Sequence, residues 1–285
     1  MTAAVALRIA TCRVLPEPDP DQEPLLAALR ERGLMARMAA WNDPHEDWST
    51  PVPTVIRSTW DYLHDLPGFL HWVARAAAAA PLWNPPALVR WNAHKRYLLE
   101  LAQRGHPVVP TELMPQGHGG TLRALCAARG WHDVVVKPAV SAASFGTARF
   151  RDPAAPAAEQ HFAARVRAGD TLVQPYVAAV DGTGERAVVW IDGEFTHAVR
   201  KSPRFSEQDE QVSAALPIAA DERRVAAAIL APFTRDLLYA RVDLARDQDG
   251  TPQLMELELI EPSLFLVQHP PALARLVDGI TRRLR

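Results

Sequence analysis

YARVDLARDQDGTPQLMELEL, from Tyr239 to Leu259, is the stretch that decides how this protein is read. Two alternating runs flank Asp249-Gly250, a strong two-residue hairpin turn, and that turn sets Asp243 opposite Glu256 and Arg241 opposite Glu258. With a period of two, all four charged side chains leave one face of the ladder, while Val242, Leu244, Met255 and Leu257 fill the other. Carboxylates directly across a ladder repel each other, so the arrangement costs stability unless something cationic lies between them. Arg241 can neutralise one carboxylate but not three. Oxygen ligands with no His or Cys nearby suit a hard cation such as Mg²⁺, held by one or two carboxylates together with phosphates. A solvated polar sheet face is the alternative that spacing alone leaves open.

Upstream, Arg186 to Ile191 and Glu194 to Arg200 form another predicted hairpin through Asp192-Gly193. Ser202 to Ser213 is polar and aperiodic, a long loop able to order over a ligand. A helix from Asp221 to Leu230 and a final helix from Pro271 complete this part of the protein. Further back, the apolar strand Val134 to Lys137 delivers a lysine to the small-residue loop Ala139 to Gly146. Such a loop lets backbone N–H groups approach phosphate oxygens while the lysine adds a point charge. It is not a Walker-type loop, because no G-x-x-x-x-G-K-[ST] is present. Around it, helices at Thr121 to Arg129 and Ala157 to Ala168 alternate with strands at Thr147 to Phe150 and Thr171 to Val177. Asn92 is placed as the N-cap of a helix from Ala93 to Arg104, with Lys95 in its first turn against the helix dipole.

The first 90 residues alternate strand and helix: Ala4 to Ala10, Glu23 to Arg32 closed by Gly33, Leu34 to Ala40, Thr54 to Arg57, and Phe69 to Ala80. This predicts an open α/β unit. Ligands bind at loops past the carboxyl ends of such strands. Arg57, Ser58, Thr59, Trp60, Asp61 and Tyr62 are accordingly assigned to an amino-acid-like substrate, Arg57 on its carboxylate and Asp61 on its ammonium. The competing reading is a capped turn with Trp60 and Tyr62 in the core.

Composition narrows the class. Of 285 residues, 48% are hydrophobic and 22% charged, and 31 basic against 33 acidic side chains leave a net charge of −2. This is a globular balance with no basic run, which excludes nucleic acid as the main partner. No apolar stretch reaches the roughly 18 residues of a membrane span, and no export signal opens the sequence, so a cytoplasmic protein is expected. Cys12 and Cys126 read as buried small hydrophobes, not a disulfide or zinc site. His45, His64, His71, His94, His106 and His118 lack ligand spacing. Only three basic residues are lysine: Lys95, Lys137 and Lys201. Where arginine is so favoured, the surviving lysines mark sites that need a compact ammonium.

Lys137 with its loop, Gln174-Pro175-Tyr176-Val177 and the acidic hairpin occur in the order that resembles the ATP-grasp superfamily, over about Asn84 to Pro262. Within it the resemblance is to the D-cycloserine-ligase-like (glutathione-synthetase/RimK-type) group. It is carried by Arg57 to Tyr62, Asn84-Pro85-Pro86, Trp91-Asn92 to Lys95, Gly184-Glu185-Arg186, His197 to Lys201 and Leu254 to Leu264. The sequence departs from that pattern in having one glycine, Gly146, in its phosphate loop, Gln174 where many members have Glu, and no Gly-Gly after Lys201.

The resemblance implies an α/β ATP-grasp fold: an N-terminal open α/β substrate domain (1–90), a lid subdomain (91–175) and a C-terminal antiparallel-sheet subdomain (176–285), with ATP between the last two. It implies an ATP-dependent carboxylate–amine ligase working through an acylphosphate on small-molecule carboxylate and amine substrates, as a monomer or homodimer. A small-molecule kinase and a non-catalytic nucleotide-binding regulator are the alternatives. ATP would meet Lys95, Lys137, Ser141, Ser144, Gly146, Gln174, Tyr176, Val177 and Glu185. One or two Mg²⁺ ions, with Mn²⁺ able to substitute, would bind Asp243, Glu256 and Glu258. Arg241, Arg200 and Lys201 would act on the reacting groups.

Overall fold

The structure, a computed structural model, describes residues 7–142, 144–202 and 211–285. Helical crossovers after β1 and β3, and a helix-free connection after β2, build a parallel first sheet. β1 (Leu7–Thr11), α1 (Gln22–Glu31), β2 (Ala36–Ala40), β3 (Thr54–Ser58), α2 (Leu66–Ala79) and β4 (Leu82–Trp83) give the strand order β2-β1-β3-β4. Every strand pair in it is parallel, the open α/β arrangement that the alternation predicts. Gly33 ends α1 at a positive φ of 76°, and Asp65 caps α2 by accepting from the Gly68 N–H (3.0 Å). The predicted residues Ala4 to Ala6 of the first strand lie outside the described residues.

The next stretch corrects the sequence reading. Asn92 is not an N-cap. It is the last residue of α3 (Pro86–Asn92), and α4 (Tyr97–Gln103) begins only at Tyr97. Lys95 therefore sits in the turn between two helices, where its N–H donates to the Ala139 carbonyl (2.8 Å). The reason is tertiary: the buried Asn92 amide donates to Leu257 O and accepts from Leu259 N, each at 2.8 Å, pinning the helix end to the last sheet strand. Capping propensity lost to those two hydrogen bonds.

A second, antiparallel sheet, in the order β5-β8-β6-β7, is built from β5 (Glu112–Met114), β6 (Val134–Pro138), β7 (Ala148–Phe150) and β8 (Thr171–Pro175). It is backed by α5 (Leu122–Arg129) and α6 (Pro156–Ala168), which interleave before β6 and β8. Leu122, Cys126, Phe162 and Val166 pack on Val134, Val136 and Val173 as a core of their own.

The third sheet follows the order β10-β9-β11-β12, from β9 (Glu185–Ile191), β10 (Glu194–Lys201), β11 (Tyr239–Arg246) and β12 (Pro252–Glu258), flanked by α7 (Ala220–Leu230) and α8 (Pro270–Arg283). Asp192 and Gly193 both take positive φ, as the predicted tight turn requires. Its core is shared: Leu7, Ile9, Leu25 and Leu29 of the first unit pack with Val189, Ile191, Tyr239 and Leu276 of the last. Among the described residues no helix is long and apolar enough to cross a membrane.

The decisive hairpin has the predicted pairing but a different turn. Asp243 faces Glu256 and Arg241 faces Glu258, yet Arg246 pairs with Pro252, so the loop holds five residues, Asp247 to Thr251. Asp247 Oδ1 organises that loop by accepting from the Asp249 and Thr251 N–H groups (3.0 and 2.8 Å). A bulge past Asp243 restores the register, since Leu244 pairs with Leu254. Met255, predicted on the apolar face, is the extra residue and lines the cleft, while Leu254 packs in the core.

Candidate active site

One cleft runs between the second and third sheets and is capped by the loop after β3. All three lysines of the protein line it. Lys95 reaches in from the turn after α3, Lys137 from the end of β6, and Lys201 from the end of β10. Opposite them stand Glu185 of β9, Arg241 of β11, and Glu256 and Glu258 of β12.

Their charges interlock. Arg241 grips Asp243 through Nε and Nη2 at 2.9 Å each and also binds a Glu258 carboxylate oxygen. Lys201 Nζ lies 2.8 Å from Asp243 Oδ2 and 2.6 Å from Glu185 Oε1. Lys95 Nζ donates to Ser141 O (2.8 Å) and Ser141 Oγ (3.0 Å), and pairs with Glu256 at 3.1 Å. Lys137 makes no ion pair among the described residues, although it is only 8% exposed. Burial pushes its ammonium pKa down, partly countered by Glu256 and reinforced by Lys95.

The carboxylates divide by their surroundings. Burial raises Glu258 to about 8, against the pull of Arg241 and helped by Asp243 and Glu256. Burial likewise raises Glu185 to about 7, with Lys201 opposing it. Asp243 is buried too, but Arg241 and Lys201 outweigh that and hold it well below the usual carboxylate range. Lys95 and Lys137 do the same for Glu256, again against burial.

Asp243, expected to be a metal ligand, is met here by two of the protein's own cations, Arg241 and Lys201, which relieve its repulsion with Glu256. Among the described residues no group of three His, Cys, Asp or Glu side chains is close enough to hold an ion. Glu256 and Glu258 retain an all-oxygen face toward the cleft, with 28% and 24% of their side chains exposed. That donor chemistry fits Mg²⁺ bound mainly through phosphates and water, as this ion prefers.

The remaining nucleotide candidates fall largely into place. Gln174, Tyr176 and Val177 line the cleft at the end of β8, with Val109, Val135, Met255 and Leu257 as apolar wall. Gln174 Nε2 is held by Thr111 Oγ1 at 2.8 Å, and the Tyr176 ring stacks under the Arg149 guanidinium, 3.3 Å from its centroid. Ser141 and Ser144 line the loop. Gly146 does not line the cleft; it has φ +69°, and a Cβ there would fall 2.8 Å from Arg165 Nη1 and 3.0 Å from Pro138. Ser144 takes the loop's other position of positive φ, at 58°. Ala143 of the same loop lies outside the described residues, as do residues 203–210, including Arg204, most of the predicted loop after Lys201.

Two groups of predicted residues lie elsewhere. Arg200 is exposed on the opposite face of β10, because alternation sends it away when Lys201 points in. Arg57 is 2% exposed, donates to Pro262 O (2.8 Å) and pairs with Asp21 at 3.6 Å. Ser58 and Thr59 are fully buried, and Asp61 accepts from Trp41 Nε1 and Asn42 Nδ2, both at 2.6 Å. A buried arginine is held in an ion pair and a carbonyl bond, so it serves the interior, not a ligand. Of the six, Trp60 and Tyr62 reach the cleft. Sequence reasoning missed Glu261 and Ser263, which also line it. They sit inside the resemblance-carrying segment Leu254 to Leu264, but beyond the strand period that drew attention to the hairpin.

Comparison with known proteins finds relatives over nearly the whole length of the protein. Residues 7–84 match the family model described as the N-terminal domain of D-cycloserine synthetase DcsG. Over 283 residues the sequence is 34% identical to the cycloserine biosynthesis protein DcsG of Streptomyces lavendulae, spanning 94% of this chain and 95% of that protein. The crystal structure of D-cycloserine synthetase DcsG matches with a TM-score of 0.88 at 34% identity, over 98% of this chain and 99% of that one. The ATP-grasp ligase PsnB, solved with its minimal precursor, Mg and ADP, matches with a TM-score of 0.65 at 18% identity over 100% and 99% of the two chains, a likeness of fold.

Proposed function

Because this chain belongs to the D-cycloserine synthetase family of ATP-grasp ligases, we propose that it activates the carboxylate of a small amino acid as an acylphosphate. A nitrogen nucleophile then displaces the phosphate, leaving ADP, phosphate and a carbon–nitrogen bond. D-cycloserine contains such a bond closed into a ring, so the product proposed here is a cyclic amide of that type, from an acyclic D-amino acid carrying the nitrogen. The observation that carries this reading is Lys137, a buried ammonium without an ion pair among the described residues, in one cleft with Glu256, Glu258 and an apolar wall of Val109, Val135, Met255 and Leu257.

Phosphoryl transfer is mostly positioning and charge stabilisation. Lys137 and Lys95 would neutralise phosphate oxygens, and Gln174 to Val177 would meet the base. Glu256 and Glu258, with Asp243 beside them, would hold Mg²⁺, or Mn²⁺ in its place, which would supply charge neutralisation to the phosphates. Arg241 projects beside Glu258 and would stabilise the acylphosphate and the oxyanion of its attack, positioned by Asp243. Lys201 is held ready by Glu185 and Asp243. The sheet of β5 to β8, carried by unit 91–175, would serve as the lid over the metal-bearing unit 176–285, with 1–90 as the substrate unit. The enzyme is taken to act in the cytoplasm on small molecules, as a monomer or homodimer.

A kinase reading loses ground here, since two of the cations it would draw on, Arg57 and Arg200, do not line the cleft. The deciding experiment is ADP release over a panel of D- and L-amino acids with hydroxylamine as trap. Hydroxamate formation is expected. ADP release with phosphate ending on a substrate hydroxyl would replace the ligase with a kinase.

A further inference from the structure

Glu261 has no part in the roles assigned above, yet it lies in the same cleft. It follows β12 by three residues, and its backbone carbonyl accepts from Trp60 Nε1 (2.9 Å), which fixes the indole against this segment. Tyr62 lies beside its carboxylate, and the tyrosine ring is itself held by stacking on Phe69 (centroids 4.9 Å apart, planes 25°). Trp60, Tyr62 and Glu261 all border the cavity that contains Arg241. Glu185, Asp243, Glu256 and Glu258 each have a lysine or arginine within 4.0 Å. Glu261 has none among the described residues. Burial raises its pKa to about 7, with Lys95 and the Tyr62 hydroxyl pulling the other way.

We propose that Glu261, walled by Trp60 and Tyr62, is the subsite that receives the α-ammonium group of the amino-acid substrate. A half-buried carboxylate with no lysine or arginine within 4.0 Å among the described residues has room for a cationic ligand. Two aromatic rings at its side favour an alkylammonium, which gains cation–π attraction, over a strongly hydrated metal ion. Geometry supplies the other half. Arg241 Nη1 donates to Ser263 O (3.2 Å), two residues on from Glu261. An amino acid whose carboxylate meets Arg241 carries its ammonium one carbon away, within the cavity that Glu261 also lines. This subsite takes the role that sequence spacing gave to Asp61, whose two oxygens are already bound by Trp41 and Asn42.

The proposal rests on the amino-acid ligase reading above, and its test separates the two. The full-length protein, loaded with Mg·ADP, is titrated calorimetrically with D-cycloserine and with isoxazolidin-3-one, the same ring without the amino group. Wild type is expected to bind D-cycloserine at least tenfold more tightly than the des-amino ring. Glu261→Gln should erase most of that preference while ADP affinity stays within twofold. Trp60→Phe, which keeps a ring but gives up the larger indole face, should weaken D-cycloserine severalfold and leave the des-amino ring less affected. If Glu261→Gln does not fold, Glu261→Asp carries the comparison, and a shrunken preference is expected. The subsite is overturned if Glu261→Gln keeps the preference, or if wild type shows none, including by binding neither ring. The hydroxylamine assay judges the ligase reading separately. Hydroxamate formation without any amine preference keeps the ligase and loses the subsite. Amine preference with no hydroxamate from any acid does the reverse.

Discussion

Asp243 is where ladder spacing and packing disagree. Spacing alone makes it one of two repelling carboxylates waiting for a metal. Packing gives it two hydrogen bonds from Arg241 and one from Lys201, at 1% exposure. Removing one member of a buried ion pair strands the other, at a cost of several kcal/mol. Asp243→Asn is therefore expected to lower stability by about 3 kcal/mol in chelator, measured by denaturant unfolding. Unchanged or higher stability would restore the repulsion picture. Lys137 is the opposite case, a cation without a direct ion pair among the described residues. Lys137→Arg keeps the charge but puts a wide planar fork on a buried strand end, so Mg·ATP affinity should fall at least tenfold in a titration with the fold intact by circular dichroism. Wild-type affinity would show that any cation suffices there. That all three lysines line one cleft means their scarcity was a readable signal. Arg57 carried no such signal: an arginine at a strand end looks the same in sequence whether it meets a ligand or, as here, Asp21 and Pro262 O.

At the scale of elements, local chemistry was legible and tertiary pinning was not. Asp192-Gly193 forms the expected turn, and Thr121 caps α5 by accepting from the Ala124 N–H at 3.2 Å. The acidic hairpin reached its true register through a mistaken turn, because a five-residue loop and a bulge offset each other. Asn92 looked like a cap since its two β12 partners lie 165 and 167 residues away. Strand alternation alone separates Arg200 from Lys201 on β10. The same strand sends His197 inward, where it stacks on His269 at the start of α8 (centroids 4.7 Å apart). Burial first, and His269 second, push the His197 pKa down to about 4. The folded state thus keeps this imidazole neutral, whereas the unfolded polypeptide takes up a proton near pH 6.5. Between those values the unfolded state binds more protons, so stability must fall as pH drops from about 6.5 to 4. His197→Phe should flatten that fall by up to about 1.4 kcal/mol per pH unit, read from denaturant unfolding across the window. Equal slopes in wild type and variant would mean that His197 is protonated within the fold.

For the whole molecule, the distribution of core predicts how it opens. The first and third sheets share one apolar cluster, and buried polar groups stitch them together as well. Asn84 Nδ2 donates to Tyr239 O and Leu259 O (2.8 and 2.7 Å), while the Tyr239 hydroxyl lies 2.5 Å from Ile56 O and 2.8 Å from Ile260 O and shares its one proton between them. Breaking that seam leaves several buried groups unpaired, each costing about 1–3 kcal/mol, so these two sheets should open only together. The second sheet has a cluster of its own and joins the third sheet's core through few side chains, Leu172, Ala139 and the partly buried Leu113, so it is the natural unit of partial opening. In native-state hydrogen exchange, amides of β6 and β8 should therefore open at a lower free energy than those of β1, β9 and β11, which should share one value. Lys137 and Gln174 to Val177 sit on the second sheet and Glu256 and Glu258 on the third, so a nucleotide in the cleft ties the two. Mg·ATP at a hundredfold excess over its dissociation constant should then raise the opening free energy of β6 and β8 by about 2.7 kcal/mol, if opening abolishes binding. Equal protection across all three sheets without nucleotide would make the molecule one cooperative unit. Protection that nucleotide leaves unchanged in β6 and β8 would place the phosphates on the third sheet alone, and would remove Lys137 from the site.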